Sequence, residues 1–216
     1  SYIDKTLIHL MSKFAKYTKD NPNTFSLTSK FEIFPQFMFY LRRSSFIQSF
    51  NESPDESTYY KYLLLAESVQ NCTIMIQPLL FEYTADNPNP TPVYLDLNSL
   101  RNNCVLLLDT FFHVVVWHGI DVMKWREEGY QNQEGYDNIK QMLDDPQDYA
   151  ETILSERLPT PRFVSCDAGS GQERLLKCTV NPSSDSKKKH NEEGFFSDDV
   201  DLKMFMDSLK KLSVSS

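Results

Sequence analysis

The sequence predicts an α+β protein: an N-terminal helical domain, a smaller domain mixing strands with helices, and a C-terminal helix. Three observations carry this. Apolar residues near the N-terminus recur at three- and four-residue spacing. Two strand-sized apolar stretches, Val105 to Leu108 and Val114 to Trp117, lie in mid-chain. An amphipathic stretch follows Ser197. The 216 residues can hold one large domain or two small ones, and 40% hydrophobic content suffices for packed cores.

Residues 1–70 read as helical. Ile3, Leu7, Leu10, Met11 and Phe14 form one apolar stripe. Asn21-Pro22-Asn23 is expected to break that helix. Pro35 suits the first turn of the next one, where its missing N–H would have had no partner. Ser53-Pro54-Asp55-Glu56 fits a capping box, in which Ser53 accepts from the Glu56 N–H and Glu56 reaches back. The helix it opens runs through Tyr59, Tyr60 and Leu63 toward Ser68.

Near Cys72 the character changes. Thr73-Ile74-Met75-Ile76 and Val93-Tyr94-Leu95 are short and β-branched or aromatic, so strands are expected there, with a proline-rich loop at Asn87-Pro88-Asn89-Pro90. Residues 105–109 and 113–119 lack polar alternation and read as central strands covered on both faces. Helices are predicted at 121–128, ended by Gly129, and at 136–143. Another is predicted at 146–157, with Asp145 as cap and Pro146 in the first turn. Strands are expected to return at 162–165 and 173–180. Residues 183–194 form a polar low-complexity loop, whose Lys187–Lys189 run sits between acidic residues and reads as solvated. The last helix begins near Ser197, with Leu202, Phe205, Met206, Leu209 and Leu212 on one face. Its acidic start and basic end complement the helix dipole. The expected domains are residues 1–70, 73–196 and 197–216.

A net charge of −8 argues against a nucleic-acid partner, because neutralising phosphates requires a basic face. No apolar run approaches the length that spans a bilayer, and Asp4 and Lys5 do not suit a signal peptide. The start at Ser1, without an initiator methionine, is expected to mark a piece of something longer. Cys72, Cys104, Cys166 and Cys178 form no C-x-x-C pair and have no histidine at ligand spacing. They are expected as free thiols in a reducing, cytosolic compartment.

Catalytic motifs are missing: there is no P-loop, no G-x-G-x-x-G, no H-E-x-x-H and no G-x-S-x-G. His113 and His118, five apart on a strand, lie on opposite faces and suit structural roles better than a shared metal. The pairs Asp144/Asp145 and Asp198/Asp199 sit at helix boundaries, where capping explains them. The chain is not expected to be an enzyme by itself.

Three stretches point further. Phe34-Pro35-Gln36-Phe37-Met38-Phe39-Tyr40-Leu41-Arg42-Arg43-Ser44, continued by Phe50-Asn51-Glu52-Ser53-Pro54-Asp55-Glu56, resembles the helical region of the Sec23 family. Sec23 proteins are subunits of the COPII vesicle coat that stimulate GTP hydrolysis by the small GTPase Sar1. Leu107-Leu108-Asp109-Thr110-Phe111-Phe112 with Val114-Val115-Val116-Trp117-His118-Gly119 resembles the strand, Asp, turn, strand, Trp-x-Gly core of gelsolin-like domains, and the family has one. Gly171-Gln172-Glu173-Arg174-Leu175-Leu176, followed by Val180-Asn181-Pro182-Ser183, resembles the family's "Ser-Gln-Ala-Arg-Phe-Leu-Leu … Asn-Pro-Ser". It departs at Glu173, which replaces a small residue, and at Leu175, which replaces an aromatic.

The resemblance implies a fold: an all-helical domain, then a gelsolin-like domain with a central mixed sheet flanked by helices, and a last helix packing back. It also implies a role for Arg174 as an arginine finger acting in trans. The planar, multi-donor guanidinium stabilises charge that develops as GTP is cleaved, in a geometry lysine does not match. Such a finger is worth about 10³ to 10⁵ in rate, or roughly 4 to 7 kcal/mol. Glu173, directly before it, is expected to pair with Arg174 when the GTPase is absent. Arg157 and Arg162 are the local competitors, and Arg162 matches a family position other than the finger.

Tyr136 matches an aromatic in the family's site for proline-rich peptides, and Tyr130 lies in the same loop. The implied partners are Sar1, Sec24, Sec31 and proline-rich segments of coat proteins, on the cytosolic face of the endoplasmic reticulum. Zinc and the Sec24 contact belong to family regions N-terminal to this chain, so no cofactor is expected here. The alternative is a non-catalytic gelsolin-type module, Sec24-like or actin-binding.

Overall fold

A computed structural model describes residues 2–44, 46–47, 53–87, 89–180 and 202–215. In chain order the helices and strands are α1 (Tyr2–Phe14), β1 (Lys16–Thr18), β2 (Asn21–Ser26), α2 (Phe34–Arg43), α3 (Pro54–Ala66), α4 (Val69–Ile76) and β3 (Leu79–Thr84). There follow β4 (Thr91–Pro92), β5 (Cys104–Asp109), β6 (His113–His118), α5 (Ile120–Glu127), α6 (Asp137–Glu156), β7 (Arg162–Asp167), α7 (Arg174–Thr179) and α8 (Leu202–Val214). They divide into two units, Ser1–Glu67 with Pro182–Ser216, and Ser68–Asn181.

In the first unit the predicted stripe of α1 buries Leu7 and Met11. Pro35 lies in the first turn of α2, and the capping box of α3 forms as expected. The Ser53 hydroxyl accepts from the Glu56 N–H at 3.2 Å, and the Glu56 carboxylate accepts from the Ser53 N–H at 2.9 Å. Helix α8 packs back on α1, α2 and β2, burying Phe205 and Leu209, with the Phe205 ring 5.1 Å from that of Phe39. Residues 183–201, with the polar loop and the expected start of the last helix, lie outside the described residues.

An antiparallel hairpin, β1 with β2, stands where continuous helix and a break at Asn21-Pro22-Asn23 were expected. Helix α1 has already ended at Phe14, and the chain reverses through Asp20, which takes a left-handed φ of 58°.

The second unit is built on a five-stranded mixed sheet ordered β4-β3-β5-β6-β7, antiparallel except for the parallel β6–β7 pair. Every residue of β5 is buried, as the aliphatic run predicted. One face of the sheet, with Tyr83, Val105, Leu107, Val114 and Val116, packs on Val122 of α5 and on Met142 and Ala150 of α6. The alternate residues Leu106, Val115 and Trp117 point to the opposite face, also buried.

Four sequence expectations give way here. Residues 73–76 are the end of α4 rather than a strand, because Ser68 caps the segment by accepting from the Asn71 N–H. The strand expected at 93–95 is a two-residue ladder at Thr91–Pro92, extended by the Val93 N–H to the Leu80 carbonyl at 2.9 Å. Residues 137–156 form one helix, with Pro146 inside it, instead of two. A buried proline interrupts one backbone bond at about 3 kcal/mol. Ile139, Met142, Pro146 and Ala150 share one buried stripe, and each large side chain contributes roughly 1.5–3 kcal/mol, so the continuous helix wins. Last, the stretch 173–180 is not a strand: Glu173 closes the 3-10 turn Gly171–Glu173, and Arg174–Thr179 form α7.

Candidate functional site

Strand β7 leaves the sheet at Asp167, and the Ala168 N–H still bonds the His118 carbonyl at 2.9 Å. Gly169 then takes φ 82°, a left-handed conformation that suits glycine, and turns the chain into the Gly171–Glu173 3-10 turn. Glu173 and Arg174 follow in right-handed helical conformation, and α7 buries Leu176, with Val180 buried one turn on.

Consecutive helical residues point about 100° apart, so Glu173 and Arg174 part company. Glu173 turns inward and is only 6% exposed. Its carboxylate accepts from the Trp117 indole Nε1–H at 3.2 Å, the Gly169 N–H at 3.1 Å and the Lys177 ammonium at 2.7 Å. Burial pushes its pKa up, but Lys177, the Gly169 N–H and the Trp117 indole outweigh burial and hold it below the ordinary carboxylate value. The expected Glu173–Arg174 pairing does not form, because the carboxylate is engaged inside the domain.

Arg174 faces outward and is exposed. Among the described residues its guanidinium has no hydrogen bond or ion pair. The competing Arg157 is committed to structure. It is half-buried and makes a fork to Asp109, at 2.6 and 2.8 Å, with its charge over the Phe111 ring. Arg162 opens β7, exposed.

Tyr136 lies at the N-terminus of α6, 39% exposed, with its ring 4.7 Å from that of Tyr130. The two tyrosines stand together at the surface of the second unit, Tyr130 in the short 3-10 turn Tyr130–Asn132.

His118 is buried, its Nδ1 3.2 Å from both the Cys166 carbonyl and an Asp167 carboxylate oxygen, while Arg126 holds the other Asp167 oxygen at 2.7 Å. Burial, and then the Arg126 charge, hold the His118 pKa below the ordinary histidine value. His113, at the other end of β6, is shifted the same way by burial and by Arg162. All four cysteines are free thiols, and burial pushes that of Cys166 up to about 11. Among the described residues no three acidic, His or Cys side chains gather as a metal site, and no helix is long and apolar enough to cross a membrane.

Sequence reasoning missed Trp117, Gly169 and Lys177 as the partners of Glu173. One signal was available: Glu173 and Lys177 stand at i and i+4, the spacing of a helical ion pair. Reading the segment as a strand concealed it.

Residues 1–74 match the model of the Sec23/Sec24 helical domain, and residues 86–176 match that of the gelsolin repeat. Among solved structures, the crystal structure of the human COPII-coat protein Sec24c is similar, at TM-score 0.59 and 13% identity over 82% of this chain. The match covers 24% of that protein, so the chain spans about a quarter of its length. A chain of the Thorarchaeota 2DGel3/rabbit actin complex matches 48% of this chain and 46% of its own, 20% identical, at a TM-score of 0.34 that carries no weight for the fold. This chain carries a Sec23/Sec24 helical domain followed by a gelsolin-like domain.

Proposed function

We propose that the chain is the C-terminal part of a Sec23-like subunit of the COPII coat, and that it stimulates GTP hydrolysis by Sar1 through Arg174. The observation that supports this reading is the state of Arg174: exposed, without a partner among the described residues, and carried on a turn whose inner neighbour is tied into the domain. An arginine so presented is available to another protein's active site. The GTPase would bring the nucleotide, its Mg²⁺ and the phosphate-binding loop. Arg174 would add positive charge where negative charge develops on the leaving group.

The experiment is GTP hydrolysis by Sar1 with wild type, Arg174→Ala and Arg174→Lys. The Ala variant is expected to bind Sar1 normally and to lose about 10³ to 10⁵ of the stimulation. Lys is expected to rescue poorly, having the charge without the fork. Near-normal stimulation by Arg174→Ala would refute the reading.

In this reading Sec24 and Sec31 are coat partners, and the protein works on the cytosolic face of the endoplasmic reticulum. The Tyr130–Tyr136 pair takes proline-rich segments, whose preformed extended helix docks on aromatic surfaces at little entropic cost. Titration with a triple-proline peptide is expected to show clear loss of affinity in Tyr136→Ala; equal affinity would remove Tyr136 from the site. The fold shared with Sec24c accommodates a second reading, a non-catalytic Sec24-like coat module, in which no variant of Arg174 changes Sar1 turnover.

A further inference from the structure

We propose that Glu173 is a positioning residue: its buried carboxylate ties residues 169–174 to the sheet, so that Arg174 projects in one fixed direction. This rests on the reading of Arg174 as the finger. The three donors to Glu173 come from three parts of the domain: Trp117 on β6, Gly169 in the turn and Lys177 on α7. The indole is itself buried in the core, so the packing around it sets where the carboxylate is held. Gly169 joins the start of the turn to its end, and Lys177 joins the first turn of α7 to the same oxygen.

A small side chain at position 173 could make none of these bonds. Arg174 is the next residue along the backbone, and its Cα inherits whatever order the anchor supplies. Misplacing a catalytic group by about 1 Å can lower a rate on the order of 10²-fold, so loosening this turn should act on the chemical step.

The test uses the full chain and Sar1 loaded with GTP. Glu173→Ala leaves a buried indole N–H without an acceptor and risks unfolding, so Glu173→Gln is the primary variant. It keeps an oxygen for Trp117 and removes the charge that holds Lys177. The expected result is a maximal stimulated rate about 10-fold lower, with the half-saturating concentration unchanged. In an Arg174→Ala background the same substitution should change nothing, because Glu173 acts only through Arg174. Faster amide exchange at Gly169, read by NMR without the GTPase, should accompany the rate loss.

A wild-type rate in Glu173→Gln, with stimulation abolished in Arg174→Ala, overturns the positioning role and leaves the finger standing. An equal rate loss with and without Arg174 also overturns it, as that marks general destabilisation. Retained stimulation in Arg174→Ala overturns the finger, and the positioning role with it.

Discussion

His118 shows how one buried side chain couples this fold to pH. Its imidazole faces Asp167, which favours the proton, and Arg126, which opposes it, while burial opposes it most. The His113 pKa is lowered as well. Both groups therefore bind protons less readily in the folded chain than at the ordinary value of 6.5. As pH falls below that value the unfolded chain takes up more protons, so their contribution is fully present above it and is lost on acidification through the folded pKa values. The urea midpoint should fall between neutral and mildly acidic pH, and the fall should be smaller in His118→Asn. Identical pH profiles for the two proteins would remove His118 from this account.

The start of α5 shows what an element demands of its neighbours. Gly119 precedes the helix, its N–H bonding the Cys104 carbonyl at 3.0 Å, and the Asp121 N–H bonds the Asn102 carbonyl at 2.9 Å. The backbone before β5 thus lies directly against the helix start. A Cβ on Gly119 would overlap the Asn102 carbonyl oxygen and lie 2.6 Å from that of Arg101. Neither obstacle is the end of a flexible side chain, so the backbone itself would have to shift. Gly119→Ala is expected to destabilise the second unit by about 3 kcal/mol, read from its urea midpoint. An unchanged midpoint would mean that the two segments separate freely. The glycine of the Trp-x-Gly motif is thus required by close backbone approach, as its φ of −67° is open to any residue.

At the scale of the whole molecule, the last helix packs within the unit that holds the first. Helix α8 belongs to the same unit as α1, α2 and α3, although the 68–181 unit intervenes in sequence. Phe205 is the largest fully covered side chain that α8 supplies, at 2% exposure. Phe205→Ala should cost about 3–5 kcal/mol. Hydrogen exchange should locate the loss in α1, α2 and α8 and leave β5 and β6 protected. Loss of protection in β5 and β6 as well would show that the two units unfold together.

The sequence by itself determined what depends on near neighbours: the stripe of α1, the α3 capping box, the two central strands and the helix-ending Gly129. Periodicity and capping are satisfied within a turn or two of chain, so the residues state them directly. It also supplied Arg174 as a candidate, through a motif. The tertiary structure decided where local signals were weak or conflicting. Intrinsic helix and strand preferences differ by at most about 1 kcal/mol per ordinary residue, and burial of one large side chain exceeds that. Proline costs more, about 3 kcal/mol, and α6 runs through Pro146 because the helix buries several residues together, Ile139, Met142 and Ala150 among them. Residues 174–179, whose Leu176 and following Val180 are buried one turn apart, become helix. The partner of Glu173 is Trp117, 56 residues away, and no local pattern announces a bond across that separation. Only folding brought the two together, and with them the difference between a carboxylate that pairs with Arg174 and one that turns inward, away from it.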